Sequence, residues 1–388
     1  MRKVWIFHSS DELYGSDRVL LQIVQALDPR EWEVRVILPA DLPHQSGLSQ
    51  KLRELHVPVQ SRPLAVLRRR YQNLPGLLKL GWLLLRSVPT LAWEMRRHQL
   101  NLVYTNTGVV LSGAVAAKLA RTRHIWGLKE YLPPGHLKAI LARLYYLFSW
   151  RITVTSQAVS RNLSHIYPKC AAKVKIIFNS VDTAYFKPNP AAHEQTRAEL
   201  GLDEDFLVCG MLGRVTQSKG PEVFIKAAQL LNRNFPLARF LIVGGPVPGS
   251  EAYLADLRKL VQEAGLGETV RFINFQSDII PMLNALDIVV MPSLRPEGFG
   301  LTLVEAMAAG CPVVAANHGG PLEIVQSGVT GLLYNPPADA QALADCLAQL
   351  LADPKLREQM GQRGRARVLE YFSRETEAAA YRQLFSAE

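Results

Sequence analysis

The chain has 388 residues, enough for two domains at roughly 100–200 residues each. Hydrophobic residues make up 48% and charged residues 20%, and Gly and Pro occur at ordinary frequency; this excludes a disordered, collagen-like or disulfide-stapled chain. The net charge of +10 is lopsided: residues 1–175 carry 26 Lys+Arg against 10 Asp+Glu, and the remainder carries 18 against 24, so only the first half should attract polyanions.

Four cysteines (Cys170, Cys209, Cys311, Cys346) lie far apart without a CxxC pair, which suits a reducing cytoplasm and offers no zinc framework. After Met1–Arg2–Lys3 the apolar run Val4–Phe7 is too short for a signal-peptide core of about 7–15 residues. No run reaches the roughly 18 apolar residues of a membrane span; Leu77–Trp93 comes nearest, interrupted by Lys79, Arg86 and Pro89. The expectation is a cytoplasmic protein without a leader or a spanning segment.

Short β-rich runs alternate with longer helical patterns throughout, which predicts an α/β fold with parallel sheets. In the first half, strands are predicted at Val4–His8, Val34–Leu38, Leu102–Thr105, His124–Gly127, Ile152–Thr155 and Val174–Phe178, with helices such as Ser16–Leu27 and Leu137–Phe148. Breaker residues concentrate in Asn179–Pro190, read as a linker at 179–190 between domains 1–178 and 191–371. In the second half, strands are predicted at Phe206–Leu212, Arg239–Val243, Val270–Ile273, Ile288–Met291, Val313–Ala315 and Gly331–Tyr334. Helices fall at Pro221–Asn232, Tyr253–Ala264 and Ala340–Leu351. The tail 372–388 reads as a last helix, with apolar Ala379, Leu384 and Phe385, that packs on either half.

Doubly wound parallel sheets bind ligands at the carboxyl ends of their strands, and the residues of interest follow strands. After His8 comes a loop with a single glycine, Gly15, before a helix. A dinucleotide dehydrogenase would need G-x-G-x-x-G there; one glycine still exposes amides to an anion, and an ordinary turn glycine is the competing reading. Gly213-Arg214-Val215-Thr216-Gln217-Ser218-Lys219-Gly220 follows Phe206–Leu212. Its arginine can grip phosphate in a bidentate way and its lysine acts as a point charge; a solvated basic loop competes with this reading.

The strongest segment runs from Pro292 to Glu305, after the apolar strand Ile288–Met291. Gly298, Phe299 and Gly300 open a helix whose amides can cradle a phosphate. Glu297 beside such an anion would be repelled unless it bonds sugar hydroxyls. Glu305 lies about 7–8 Å further along the axis at 1.5 Å per residue, a reach that fits a ribose diol. His318, in Asn317–Pro321, reads as a ligand contact or a turn histidine.

The spacing Glu297-x7-Glu305 within PEGFGLTLVEAMAAGCPVVA resembles the E-x7-E signature of retaining family-four glycosyltransferases of the GT-B fold, and GRVTQSKG at 213–220 resembles their phosphate-gripping loop. HGGPLEIVQSGVTGLLY at 318–334, FNSVDTAYFKP at 178–188 and, more loosely, LYGSDRVLLQIV at 13–24 fit the same family. The resemblance implies two Rossmann-like domains facing each other across a cleft. It further implies transfer of a hexose-type sugar from a UDP- or GDP-sugar with retention, and no metal or other cofactor.

Carried over by position, Arg214 and Lys219 would hold the donor diphosphate and stabilise the leaving charge. Glu297 would bond the transferred sugar and Glu305 the ribose. Amides from Gly298 to Leu301, with Gly213, would contact sugar and phosphate, and Gly15 would approach the diphosphate. Two departures stand out: Tyr14-Gly15 where many relatives have Gly-Gly, and Lys129-Glu130 where many have His-Glu or Arg-Glu. Lys129 keeps a cation near the reacting sugar without imidazole chemistry.

The basic first half would then receive the acceptor. Residues 68–97, with Arg68-Arg69-Arg70, Trp82, Arg86, Trp93, Arg96 and Arg97, and residues 137–151 are basic, aromatic and amphipathic. Such faces lie on anionic membranes, which points to a peripheral enzyme acting on a lipid-linked, polysaccharide or other envelope acceptor. Two ordinary core-packed helices are the alternative. A nucleic-acid binder lacks support, with no RNP pattern, zinc module or basic tail. A nucleotide-sugar epimerase of the same architecture is the nearer competitor, followed by a non-catalytic sugar-nucleotide sensor.

Overall fold

The computed structural model describes every residue except 14, 43–46, 69–72, 133, 134, 136, 248, 277 and 388. Two compact units form: Met1–Asn179 with Glu375–Glu388, and Ser180–Arg374.

In the first unit the strands are β1 (Arg2–Phe7), β2 (Trp32–Pro39), β3 (Val59–Arg62), β4 (Leu102–Thr105), β5 (Arg123–Leu128), β6 (Arg151–Val154) and β7 (Val174–Ile176). They make one seven-stranded sheet in the order β3-β2-β1-β4-β5-β6-β7, parallel throughout. β4 is buried at all its positions, as a strand covered on both faces by helices must be. The chain leaves β1 toward one edge and returns to β4 on the other side. The switch point, where a ligand crevice opens in such sheets, therefore lies past Phe7 and Thr105, which pair in register.

One strand escapes the sequence reading, and two helices are defined more closely than it left them. β3 has no apolar run and is not among the predicted strands; it is an edge strand that pairs, among the described residues, only with β2. Leu74–Arg97 is one continuous helix through Pro89. Asn73 caps it, accepting from the Gly76 amide at 2.9 Å, and Pro89 sits on the exposed side, where the carbonyl its ring strands can reach water. The last helix, Arg374–Ser386, completes the first unit's core: Tyr381, Leu384 and Phe385 join Val4, Ile6, Trp32, Leu102 and Tyr104. Ala379 does not share that role, for it is exposed.

In the second unit the strands are β8 (Leu207–Leu212), β9 (Ala238–Val243), β10 (Val270–Ile273), β11 (Ile288–Met291), β12 (Val313–Ala316) and β13 (Gly331–Tyr334). The order β10-β9-β8-β11-β12-β13 puts the switch point between β8 and β11. The apolar faces of helices Pro221–Leu231 and Ala340–Ala352 pack on one side of this sheet through Phe224, Ile225, Leu343 and Leu347. Residues of the stretch read as a linker are fastened to this unit: the Val181 amide donates to Phe372 O at 3.0 Å, and that of Asn189 to Asn284 Oδ1 at 2.7 Å.

Candidate active site

The loops after β8, β11 and β12 are sewn together by backbone contacts that only glycine allows. Gly220 has φ +71°, and a Cβ there would lie 2.0 Å from Pro292 O; the Leu294 amide donates to Ser218 O at 2.9 Å beside it. Gly319 has φ +70° and stands so close that a Cβ would meet Glu297 N and O at 2.7 Å. The next amide, of Gly320, donates to Glu297 O at 2.9 Å. Such positions exclude any larger residue on both conformational and steric grounds.

On this frame Lys219 Nζ donates to Glu297 Oε1 at 2.7 Å, both side chains being half-buried. Ser293 Oγ donates to the same oxygen at 2.5 Å. His318 Nε2 donates to Ser293 O at 2.7 Å; a carbonyl only accepts, so this nitrogen carries the proton. Gly300, with φ +114°, starts helix Leu301–Ala308, whose amino end has no side-chain cap and carries the positive end of the helix dipole. Phe299 is buried against the Phe372 ring at 5.8 Å. Glu305 is also buried, on the inner side of that helix. Arg214, beside Gly213, is exposed and makes no hydrogen bond or ion pair among the described residues.

The other two sequence-derived candidates belong to the first unit. Gly15 starts helix Gly15–Ala26 with open space where a Cβ would be. Lys129, just past β5, donates from Nζ to Tyr381 OH at 3.1 Å and lies 5.8 Å from that ring's centre. The last helix thus holds a side chain named from the middle of the chain. Tyr14, in the departure noted above, lies outside the described residues, as do Arg69 and Arg70. Arg68 is engaged by Asp41 Oδ1 at 2.8 Å.

Sequence reasoning missed a buried polar cluster at the first unit's switch point. His8 Nε2 lies 3.0 Å from Asp17 Oδ1 and 3.1 Å from Ser10 Oγ, and Ser10 donates to Asp17 at 2.9 Å. Asn106 Nδ2 donates to Ser16 O at 2.9 Å and faces His8 Nδ1 at 3.2 Å. A donor at Nδ1 leaves the His8 proton on Nε2, directed at Asp17. Ser10 and Asp17 share one ring nitrogen, so this is no nucleophile relay, which needs both. Burial raises the Asp17 pKa, but hydrogen bonds from His8, Ser10 and the Glu12 amide outweigh it, and the net shift is downward. The available signal was a polar residue closing β1 and an acid in the next helix's first turn.

Both halves of the chain match families of one enzyme class: Glycosyl transferases group 1 over residues 192–367, and Glycosyltransferase Family 4 over residues 14–185. The chain belongs to the group 1 glycosyltransferases.

Its fold is GT-B. The crystal structure of Anabaena HepE in complex with UDP superposes with a TM-score of 0.84 at 26% identity, covering 99% of each chain. D-inositol 3-phosphate glycosyltransferase of Corynebacterium glutamicum is 35% identical over 219 residues, 54% of this chain and 51% of that one. A GDP-mannose-dependent α-(1-6)-phosphatidylinositol monomannoside mannosyltransferase of Mycobacterium tuberculosis is 35% identical over 235 residues, 58% of each. This group 1 chain therefore spans between half and three fifths of the length of these curated relatives. Cavities of about 410 and 430 Å³ open at the amino ends of the two sheets, one lined by Arg2, Leu102 and Arg123, the other by Asp287, Cys311 and Pro312. In each sheet they lie opposite the end at which the sequence-derived candidates follow the strands.

Proposed function

We propose that this protein transfers a hexose-type sugar from a UDP- or GDP-sugar to a lipid-linked or saccharide acceptor, retaining the anomeric configuration and requiring no metal. The observation that carries the reading is the Lys219–Glu297 pair at 2.7 Å next to the uncapped start of helix Leu301–Ala308. It supports the reading because a cation, a carboxylate suited to sugar hydroxyls and the positive end of a helix then share one frame.

A glycosyl transition state resembles an oxocarbenium ion while the nucleoside diphosphate leaves as an anion. Arg214, the free N–H groups of the Lys219 ammonium and the amides of Gly298–Leu301 would bear that charge; preorganised donors of this kind supply most of the stabilisation in such sites. The anomeric C–O bond to the diphosphate breaks and the acceptor oxygen bonds to the same face. The leaving phosphate oxygen takes the acceptor's proton, with no protein nucleophile. Glu305 would bond the ribose. Gly15 and Gly213 would contact the donor, each from its own unit, while Lys129 would offer a cation near the reacting sugar. The relatives' names suggest a phosphorylated cyclitol or its lipid as an acceptor class. The proposed setting is an anionic membrane face at the cytoplasmic side.

The test is incubation with UDP-glucose and GDP-mannose, each with D-inositol 3-phosphate or a lipid extract, followed by mass spectrometry and NMR of the product. Acceptor-dependent nucleoside-diphosphate release, an axial anomeric product and turnover unchanged by EDTA are expected. A trapped covalent glycosyl-enzyme, or conversion of the donor without an acceptor as an epimerase would give, overturns the reading.

A further inference from the structure

We propose that Ser293 is a positioning residue that divides the work of the Glu297 carboxylate between its two oxygens, so that Oε2 is presented to a hydroxyl of the transferred sugar. The proposal rests on the reading of the site given above. Ser293 is 2% exposed, at the carboxyl end of β11. Its hydroxyl donates to Glu297 Oε1 at 2.5 Å, where Lys219 Nζ also donates at 2.7 Å. Among the described residues Oε2 accepts no hydrogen bond. The Glu297 backbone is pinned by the Gly320 amide, and the Ser293 carbonyl by His318 Nε2. The remaining freedom is rotation of the carboxylate, which would exchange its oxygens, and two donors on Oε1 oppose it.

The two donors are not equivalent once a diphosphate arrives. Lys219 stands on a flexible four-carbon stem and is a point charge, so it redistributes toward phosphate. The serine hydroxyl is on a short buried side chain and cannot follow. With donor bound, Ser293 becomes the firmer anchor of Oε1, and its loss is felt through the sugar rather than through the diphosphate.

Calorimetric titration of wild type, Ser293→Ala and Ser293→Thr with UDP, GDP, UDP-glucose and GDP-mannose, together with steady-state kinetics, tests this. For Ser293→Ala, affinity for the bare nucleoside diphosphate should stay within about twofold. kcat/KM for the nucleotide sugar should fall by about tenfold or more, as for one hydrogen bond to a charged group. Ser293→Thr, which keeps the hydroxyl, should recover most of it. Equal losses with and without the sugar, or full activity of Ser293→Ala, overturn the positioning role while leaving the site reading intact. A wild type that binds neither nucleoside diphosphate overturns the site reading and this proposal with it. Melting curves of both variants identify a folding defect, and Ser293→Thr then decides: a variant that folds but recovers none of the lost kcat/KM overturns the positioning role.

Discussion

Lys219 and Glu297, 78 positions apart in the chain, meet with Nζ and Oε1 2.7 Å apart. The contact resolves a conflict visible in the sequence, where a carboxylate stands beside amides suited to an anion. The ammonium neutralises Glu297 and keeps two further N–H groups, so under the proposed function one lysine would serve both the carboxylate and a phosphate.

Lys219→Met should weaken binding of UDP or GDP by about tenfold to a hundredfold, the range of one or two charge-assisted hydrogen bonds. Glu297→Gln should leave bare nucleoside-diphosphate affinity within about threefold while transfer falls by about a hundredfold. Titration calorimetry and product assays read the two effects separately; coincident losses in both variants would contradict separate roles.

The His8–Asp17 pair calls for a stability measurement. Both side chains are essentially inaccessible, and Asp17 holds Ser10 and the Glu12 amide as well as the imidazole. Asp17→Ala strips the partner from a buried ring and frees the loop that leads to Gly15. A loss of about 2–4 kcal/mol is expected in urea unfolding, from broken buried charge-assisted bonds. A change under about 0.5 kcal/mol would show that the cluster carries no stability.

How much of this was legible depended on whether the signal was local. β11 and β13 are short apolar runs between breakers, and their predicted limits coincide with those observed. β3 escaped because Val59, Gln60, Ser61 and Arg62 form a half-exposed edge, with neither alternation nor an apolar run to mark it. The Leu74–Arg97 helix runs on through Pro89 because the carbonyl its ring strands faces solvent. The contacts of Lys219 with Glu297 and His8 with Asn106 arise from the order of strands in the sheets, and that of Lys129 with Tyr381 from the return of the last helix to the first unit; residue spacing encodes neither. Arg214, Lys219, Glu297 and Glu305 could be named as chemistry-bearing types after strands, but their mutual geometry could not.

The last helix should stabilise a unit that begins nearly the whole chain earlier. Phe385 is buried, with its ring centre 5.9 Å from Trp32, 5.6 Å from Tyr104 and 6.0 Å from Tyr381. Phe385→Ala should cost about 3–5 kcal/mol, as large-to-small core changes do. Hydrogen exchange should quicken in β1 and β4 and remain slow in β8 and β11. Uniform acceleration in both sheets would contradict this assignment.

Acid should weaken the first unit through His124. The ring is buried in β5; its Nδ1–H donates to Phe148 O at 2.9 Å and Nε2 lies 2.9 Å from Thr105 Oγ1. Burial pushes its pKa down to about 3, the Phe148 contact opposing the shift, against about 6.5 in an unfolded chain. Between these values the unfolded state binds the extra proton, so stability is full above about pH 6.5 and is lost as pH falls toward 3. Between pH 6.5 and 5 the expected loss is about 1.5 kcal/mol. His124→Gln should flatten that part of the urea-midpoint profile. An unchanged slope would place the acid sensitivity elsewhere.

Membrane attachment is tested on the outer face of helix Leu74–Arg97. Leu78 (68% exposed), Trp82 (53%), Leu85 (79%) and Trp93 (58%) recur at helical spacing and form one apolar stripe. Lys79, Arg86 and Arg97 run alongside it, Arg86 and Arg97 each lying 5.2 Å from the Trp82 and Trp93 ring centres respectively. The helix's single acid, Glu94, is engaged by Arg62 at 3.1 Å, so the face is basic. Ile140 and Leu147 of helix Leu137–Phe148 are exposed too, and that helix shares a core cluster with Leu80 and Leu84. No helix among the described residues is long and apolar enough to cross a bilayer, so the mode of attachment would be in-plane. The protein should float with phosphatidylglycerol-containing vesicles and not with pure phosphatidylcholine, and 0.5 M salt should weaken the binding, at roughly 1 kcal/mol per basic residue near the surface. Trp82→Glu/Trp93→Glu should abolish flotation while solution transfer to a water-soluble acceptor persists. If the double variant floats as well as wild type, the stripe is not the contact.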